Sequence, residues 1–207
     1  DVSKGNNSIS VAVLDTGIQL NHPDLPNVVQ GPSYYSQSPN DDNGHGTHVA
    51  GTIAATGNNK IGVPGINWET RLIAVKVLSG SGGGSTTAIA KGMEWAIDNN
   101  VNVVNMSLGG PGSSRTMTNL INNAVAKNTI VVVAAGNCGR GGSSCSGGPY
   151  AENYHPANVK SAITVASTDQ NDSRSVFSNY TRTGIIDIAA PGSNICSTYI
   201  RSGYSCK

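Results

Sequence analysis

Residues 71–106 read RLIAVKVLSGSGGGSTTAIAKGMEWAIDNNVNVVNM, and this stretch decides the fold class. Arg71–Leu78 is an apolar, partly β-branched run of strand length. A Gly-rich run, Gly80–Gly84, stops it. Thr86–Ile97 then sets Ile89, Met93, Ala96 and Ile97 at helical spacing. Val101–Met106 returns to strand. A strand that is apolar along its whole length is covered on both faces, as in parallel sheets packed by helices.

Working outward, the same alternation recurs. Ile9–Leu14, Ile130–Ala135, Ala162–Ala166 and Ile185–Ala189 read as strands, and Val49–Ala55 and Met117–Ala126 as helices. The expected fold is α/β: a doubly wound, mainly parallel sheet with helices on both faces. Residues 1–207 are expected to form one domain, without repeat or linker. Gly136–Asn158 has no periodicity and is expected to be a long loop.

Composition excludes several classes. Charged residues make 12% of the 207, against ~25% in an average globular chain. That is too few for a solvated disordered chain or a coiled coil. A net charge of +1 is too neutral for gripping nucleic acid through its phosphates. The longest apolar run is too short to span a bilayer. The cysteines are Cys138, Cys145, Cys196 and Cys206, with no CxxC spacing. Two short-loop disulfides, Cys138–Cys145 and Cys196–Cys206, are the simplest pairing, and the other two connectivities stay open. Disulfides imply an oxidising compartment, so a secreted, extracellular protein is expected, with Asp1 as a processed start.

In a parallel sheet, ligands gather at the carboxyl ends of the strands. Those positions hold Asp15, the Ser79–Thr87 segment SGSGGGSTT, Asn105, Ser107 and Asn137. Asp15-Thr16-Gly17 is either a turn-initiating aspartate or a carboxylate held by backbone donors. In Asn43-Gly44-His45-Gly46-Thr47-His48, small neighbours leave His45 open to a substrate. His45 is read either as a general base oriented by Asp15, or with His48 and Asp41 or Asp42 as part of a metal site. Zinc would need further strong ligands, and only four histidines exist. Asn137 follows Gly136 at a strand end, where a carboxamide can serve an oxyanion hole. The Gly-rich segment has no lysine after its glycines, so an edge pairing with an extended peptide suits it better than a phosphate cradle.

The segments VAVLDTGIQLNHPDL, NGHGTHVAGTIAA, IGVPGINWETRLIAVKVL, VVNMSLGG and VVVAAGN, with YHPAN, AITVAS and IDIAAPGSNI further on, occur in this order. This pattern resembles the subtilisin-like serine peptidases over nearly the whole chain. The resemblance implies a secreted endopeptidase with an Asp-His-Ser triad. Asp15 would orient the imidazole, His45 would be general base and then acid, and Asn137 would bind the oxyanion. Ser81, Gly82 and Gly83 on one edge, and Ser107, Leu108, Gly109 and Gly110 on another, would flank an extended peptide substrate, with Gly136 in the pocket wall. It also implies structural calcium, held by the Asp24 carboxylate, the Asn59 side chain and the carbonyls of Ile61 and Val63.

One part of the pattern is absent. The family's serine follows Gly-Thr in a GTSMA-type motif, and these 207 residues hold none. Ser107, Ser202 and Ser205 stand in other contexts. The expectation is a peptidase domain incomplete at the C-terminus: either one piece of a nicked protein, with the serine on a C-terminal fragment held non-covalently, or a partial or truncated sequence. The alternative is a non-catalytic peptide-binding pseudo-peptidase. Neither nucleic acid nor membrane is expected as a partner.

Overall fold

The computed structural model describes residues 4–142 and 145–207. Asp1, the expected processed start, lies outside the described residues, as do Ser143 and Ser144 of the expected Gly136–Asn158 loop. The chain divides into two compact units: Asp1–Asn105 with Cys196–Lys207, and Met106–Ile195.

The first unit begins with β1 (Ser10–Asp15), β2 (Val28–Ser33), α1 (His45–Ala54), β3 (Arg71–Lys76), α2 (Thr86–Asp98) and β4 (Val103–Met106). Its strands lie in the order β2-β3-β1-β4, all pairs parallel. Every residue of β1 is buried. Successive strand side chains point to opposite faces, and the two helices divide along that alternation. Val11 and Val13 of β1, and Leu72 and Ala74 of β3, share a cluster with Ala50 and Ala54 of α1. Leu14 and Val75 face α2 instead, close to Gly92. Helices therefore cover both faces, as a continuously apolar strand requires. Full burial of each Val, Leu or Ile is worth ~1.5–3 kcal/mol. The Ser85 side chain caps α2 by accepting from the Ala88 N–H.

The second unit holds β5 (Gly110–Pro111), α3 (Arg115–Ala126), β6 (Ile130–Ala134), β7 (Tyr154–His155), β8 (Ile163–Thr168) and β9 (Ile188–Pro191). Here β6, β8 and β9 pair in parallel, and β5 pairs antiparallel with β7. α3 is capped by Ser114 and buries Met117, Ile121 and Ala124. Cys138 and Cys145 form a disulfide.

The chain then returns to the first unit as an antiparallel hairpin, β10 (Cys196–Tyr199) and β11 (Gly203–Cys206), closed by the Cys196–Cys206 disulfide. It rests on α1. Ser197 Oγ donates to the His48 carbonyl and Thr198 Oγ1 to the Thr47 carbonyl, each at 2.7 Å. His22 Nε2 and His48 Nε2 donate to the carbonyls of Gly203 and Ser205.

The mainly parallel α/β fold and both short-loop disulfides match expectation. Some bounds differ. α1 begins at His45, before the expected Val49, because its first turn is held by polar bonds rather than by an apolar face. β9 begins at Ile188, and Ile185 and Ile186 pack instead against the small cluster around Ala151 and Tyr154. β2 was not expected: it is half-exposed and carries Gly31 and Pro32, so it lacks an apolar run. Among the described residues no helix is long and apolar enough to cross a membrane.

Candidate active site

Alternation along β1 turns Asp15 to the same face as Val11 and Val13, the face that α1 covers. Parallel pairing puts Asp15 at the carboxyl end of its strand, level with Lys76 of β3. α1 arrives with His45 as its first residue. His45 Nδ1 lies 2.7 Å from Asp15 Oδ1 and 2.9 Å from Oδ2. The close approach depends on Gly46, where a Cβ would stand 2.0 Å from the Gly17 carbonyl oxygen. Asp15 is fully buried and also accepts from the Thr16 N–H, whereas the His45 side chain is 47% exposed. Nδ1 thus donates inward, and Nε2 remains for proton transfer. The hydrogen bond that His45 donates to Asp15 is the main cause of its raised pKa, with further support from the charges of Asp15 and Asp41. Partial burial and Lys207 pull the other way.

Around this pair is a polar network that the sequence reading did not find. The buried Asp41 carboxylate accepts through Oδ1 from Thr16 Oγ1 (2.8 Å), Asn43 N (2.9 Å) and Gly44 N (3.0 Å). Through Oδ2 it accepts from Thr47 N (3.0 Å) and Thr47 Oγ1 (2.6 Å). Those N–H groups belong to the start of α1, where a carboxylate is favoured. Thr16 Oγ1 in turn accepts from the Gly46 N–H at 3.0 Å. One side chain thereby ties the turn after Asp15 to the helix that carries His45. Buried Lys76 donates to the Thr16 carbonyl at 2.5 Å and to Asp42 at 2.6 Å. The signal for Asp41 was its place just before Asn43-Gly44-His45. With its oxygens engaged, and with His48 bonded to Ser205, the metal alternative for His45 and His48 has no converging ligands. Among the described residues no three His, Cys, Asp or Glu gather as a metal site would need.

The other expected residues are placed as follows. Ser81, Gly82 and Gly83 are exposed in a turn closed by Gly82 N to the Ser79 carbonyl. The adjacent Gly80 carbonyl accepts from Asn43 Nδ2 at 2.9 Å, which brings this edge beside the His45 loop. In the second unit, Ser107 and Leu108 are half-buried, Gly110 pairs with His155 through β5 and β7, and a Cβ at Gly109 would stand 3.1 Å from the His155 carbonyl oxygen. Gly136 follows β6 with a left-handed φ of 108°, and Asn137 after it is exposed.

Asp24 is fully buried. Its Oδ1 accepts from Asn59 Nδ2 at 2.6 Å and its Oδ2 from the Val63 N–H at 3.1 Å. Asn59 Oδ1 accepts from the Ile61 N–H. The four residues therefore meet in one knot, but Ile61 and Val63 enter it through their N–H groups rather than through the carbonyls expected as ligands, and no cation pairs with Asp24 among the described residues. A carboxylate, a carboxamide and loop carbonyls are hard oxygen donors suited to calcium.

These elements have counterparts elsewhere. A model of the subtilase family matches residues 6–207, and the chain belongs to that family. It is 47% identical over 199 residues to subtilisin Savinase of Lederbergia lenta, covering 95% of this chain and 68% of that protein. Thermitase of Thermoactinomyces vulgaris is 42% identical over 208 residues, covering 99% and 70%. An alkaline protease of Alkalihalobacillus alcalophilus is 47% identical, and the chain spans 48% of its length. Among solved structures, a cold-adapted subtilisin-like serine proteinase superposes with a TM-score of 0.85 at 34% identity, over 99% of this chain and 70% of that one.

Proposed function

We propose that the chain supplies the aspartate and histidine of a secreted serine endopeptidase that cleaves extended protein or peptide substrates. The bidentate approach of Asp15 to His45 Nδ1 carries this reading. His45 Nε2 takes the proton of a serine that lies outside these residues and returns it to the leaving amine. Asp15 holds the tautomer and stabilises the imidazolium. Asn137 donates to the oxyanion. Ser81–Gly83 and Ser107–Gly110 offer backbone to the peptide, and Gly136 lies in the wall of its pocket. The serine is carried by a further C-terminal segment, which a nicked form would hold non-covalently. Both disulfides support an oxidising, extracellular setting.

A serine-directed organophosphorus reagent tests this on the full-length protein. Label on one serine, lost together with peptidase activity in a His45→Ala variant, is expected. Peptide binding without label or turnover refutes the reading in favour of a pseudo-peptidase. Calcium, held by Asp24, Asn59, Ile61 and Val63, would neutralise a buried charge and stabilise the loop. A chelator should then lower the melting temperature, and an unchanged Asp24→Asn variant would exclude the site.

A further inference from the structure

The bend that presents Asn137 is held by two backbone bonds and by one side chain, that of Asn179. Gly136, before Asn137, accepts through its carbonyl from the Asn179 N–H at 2.9 Å. Cys138, after it, donates its N–H to Asn179 Oδ1 at 2.6 Å. Next along, the Gly139 N–H donates to the Phe177 carbonyl at 2.8 Å. A Cβ at Gly136 would lie only 2.5 Å from Asn179 Nδ2, so the carboxamide fills the inside of the bend. Asn179 is fully buried, and the chain on either side of it is anchored. Ser178 Oγ accepts from the Ser167 N–H of β8 at 2.9 Å. The Tyr180 N–H donates to the Pro149 carbonyl at 3.1 Å, and the Ala151 N–H to the Tyr180 carbonyl at 2.9 Å.

The residue type follows from these bonds. Cys138 N–H needs an acceptor, which no apolar side chain supplies. An aspartate would accept but would bury a charge. The amide's other end is a liability, because Asn179 Nδ2 is buried with no hydrogen-bond partner among the described residues. Such a group is unfavourable and is kept where the rest of the side chain is needed. The triplet Asn179-Tyr180-Thr181 has the form of a glycosylation acceptor, but full burial of Asn179 excludes that role. We propose that Asn179 is the positioning residue of Asn137, fixing the direction of its carboxamide. This inference rests on the reading of Asn137 as oxyanion donor.

The test uses the full-length enzyme and a peptide amide substrate. Asn179→Ala should lower kcat by about 10- to 100-fold, the range expected when a catalytic group is misplaced by ~1 Å, with little change in KM. Asn179→Ser, which admits a water and keeps the backbone bonds, should show the same pattern at smaller amplitude while remaining folded. The double variant Asn137→Ala/Asn179→Ala should be no slower than Asn137→Ala alone, because the clamp has nothing left to aim. A general structural role would instead make the two losses multiply, and that result overturns the inference. A normal kcat in both Asn179 variants, with Asn137→Ala impaired, also overturns it. If Asn137→Ala itself keeps a normal kcat, the oxyanion reading has failed and the inference falls with it.

Discussion

Asp41→Ala should be among the most damaging single substitutions in the first unit. The variant removes the acceptor for five hydrogen bonds. The hydroxyls of Thr16 and Thr47 can rotate to other acceptors, and the half-buried Asn43 N–H can take a water. The Gly44 and Thr47 N–H groups are buried and cannot. Leaving a buried donor unsatisfied costs about 1–3 kcal/mol, so two such donors set the loss at about 2–6 kcal/mol. A domain of this kind has a total stability of ~5–15 kcal/mol, so the variant would be close to unfolding on warming. Asp41→Asn keeps the shape and one oxygen but turns an amide N–H2 toward other donors, and should lose about half as much. Urea unfolding of the full-length protein, followed by circular dichroism, gives both values from midpoint shifts at constant m. A loss below ~1 kcal/mol for Asp41→Ala would refute the view that this carboxylate holds the start of α1.

Three further outcomes are expected. In the proposed mechanism His45 must be neutral to act as base, and its pKa is raised chiefly by its hydrogen bond to Asp15, so activity should climb as pH rises through the raised pKa. Asp15→Asn should move this acid limb to lower pH and cut kcat by ~10⁴, the size known for the same change in a chymotrypsin-like triad; an unmoved limb in a kcat/KM profile would count against the pairing. Burial works to raise the Glu152 pKa, but its own backbone N–H, those of Arg182 and Thr183 and the Thr181 hydroxyl outweigh it and bring it down to about 2. The carboxylate therefore stabilises the fold above its ordinary value of 4.5, and the gain is lost as pH falls through about 2. The stability gap between native protein and Glu152→Gln should shrink over that interval in acid titrations, and a constant gap would contradict it. Removing the Cys196–Cys206 bridge, which spans 10 residues, should cost about 2–3 kcal/mol by loop entropy, and an unchanged melting temperature would rule that out.

The sequence announced what depends on apolar periodicity. β1, β3, α2 and α3 were legible because each buries a stripe or a whole run. Both disulfides were legible from short spacing. Asp15 and His45 stood out as polar groups where strand and helix ends meet. The Asp41 network left no such trace, since Asp, Asn and Thr before a helix look like any polar turn. Asn179 was hidden more thoroughly. It lies in a segment without periodicity, and its partners at 136 and 138 are backbone atoms. The hairpin of β10 and β11 was missed for the same reason: hydroxyls bonded to helix carbonyls hold it in place.

That hairpin has a consequence for synthesis. Residues 196–207 belong to a unit whose other residues end at Asn105, and their bonds to α1 bridge separations of 149 and 151 positions. On the ribosome the second unit emerges whole before the first has all its parts. Contacts of such long separation form slowly, because the intervening chain must be closed into a loop first. The histidine at the start of α1 is made early, yet the support beneath its helix arrives among the later residues. Until then Ser197 and Thr198 are missing from the carbonyls they satisfy. The nascent chain thus keeps the proposed catalytic pair without this support through the translation of some ninety residues, Met106–Ile195.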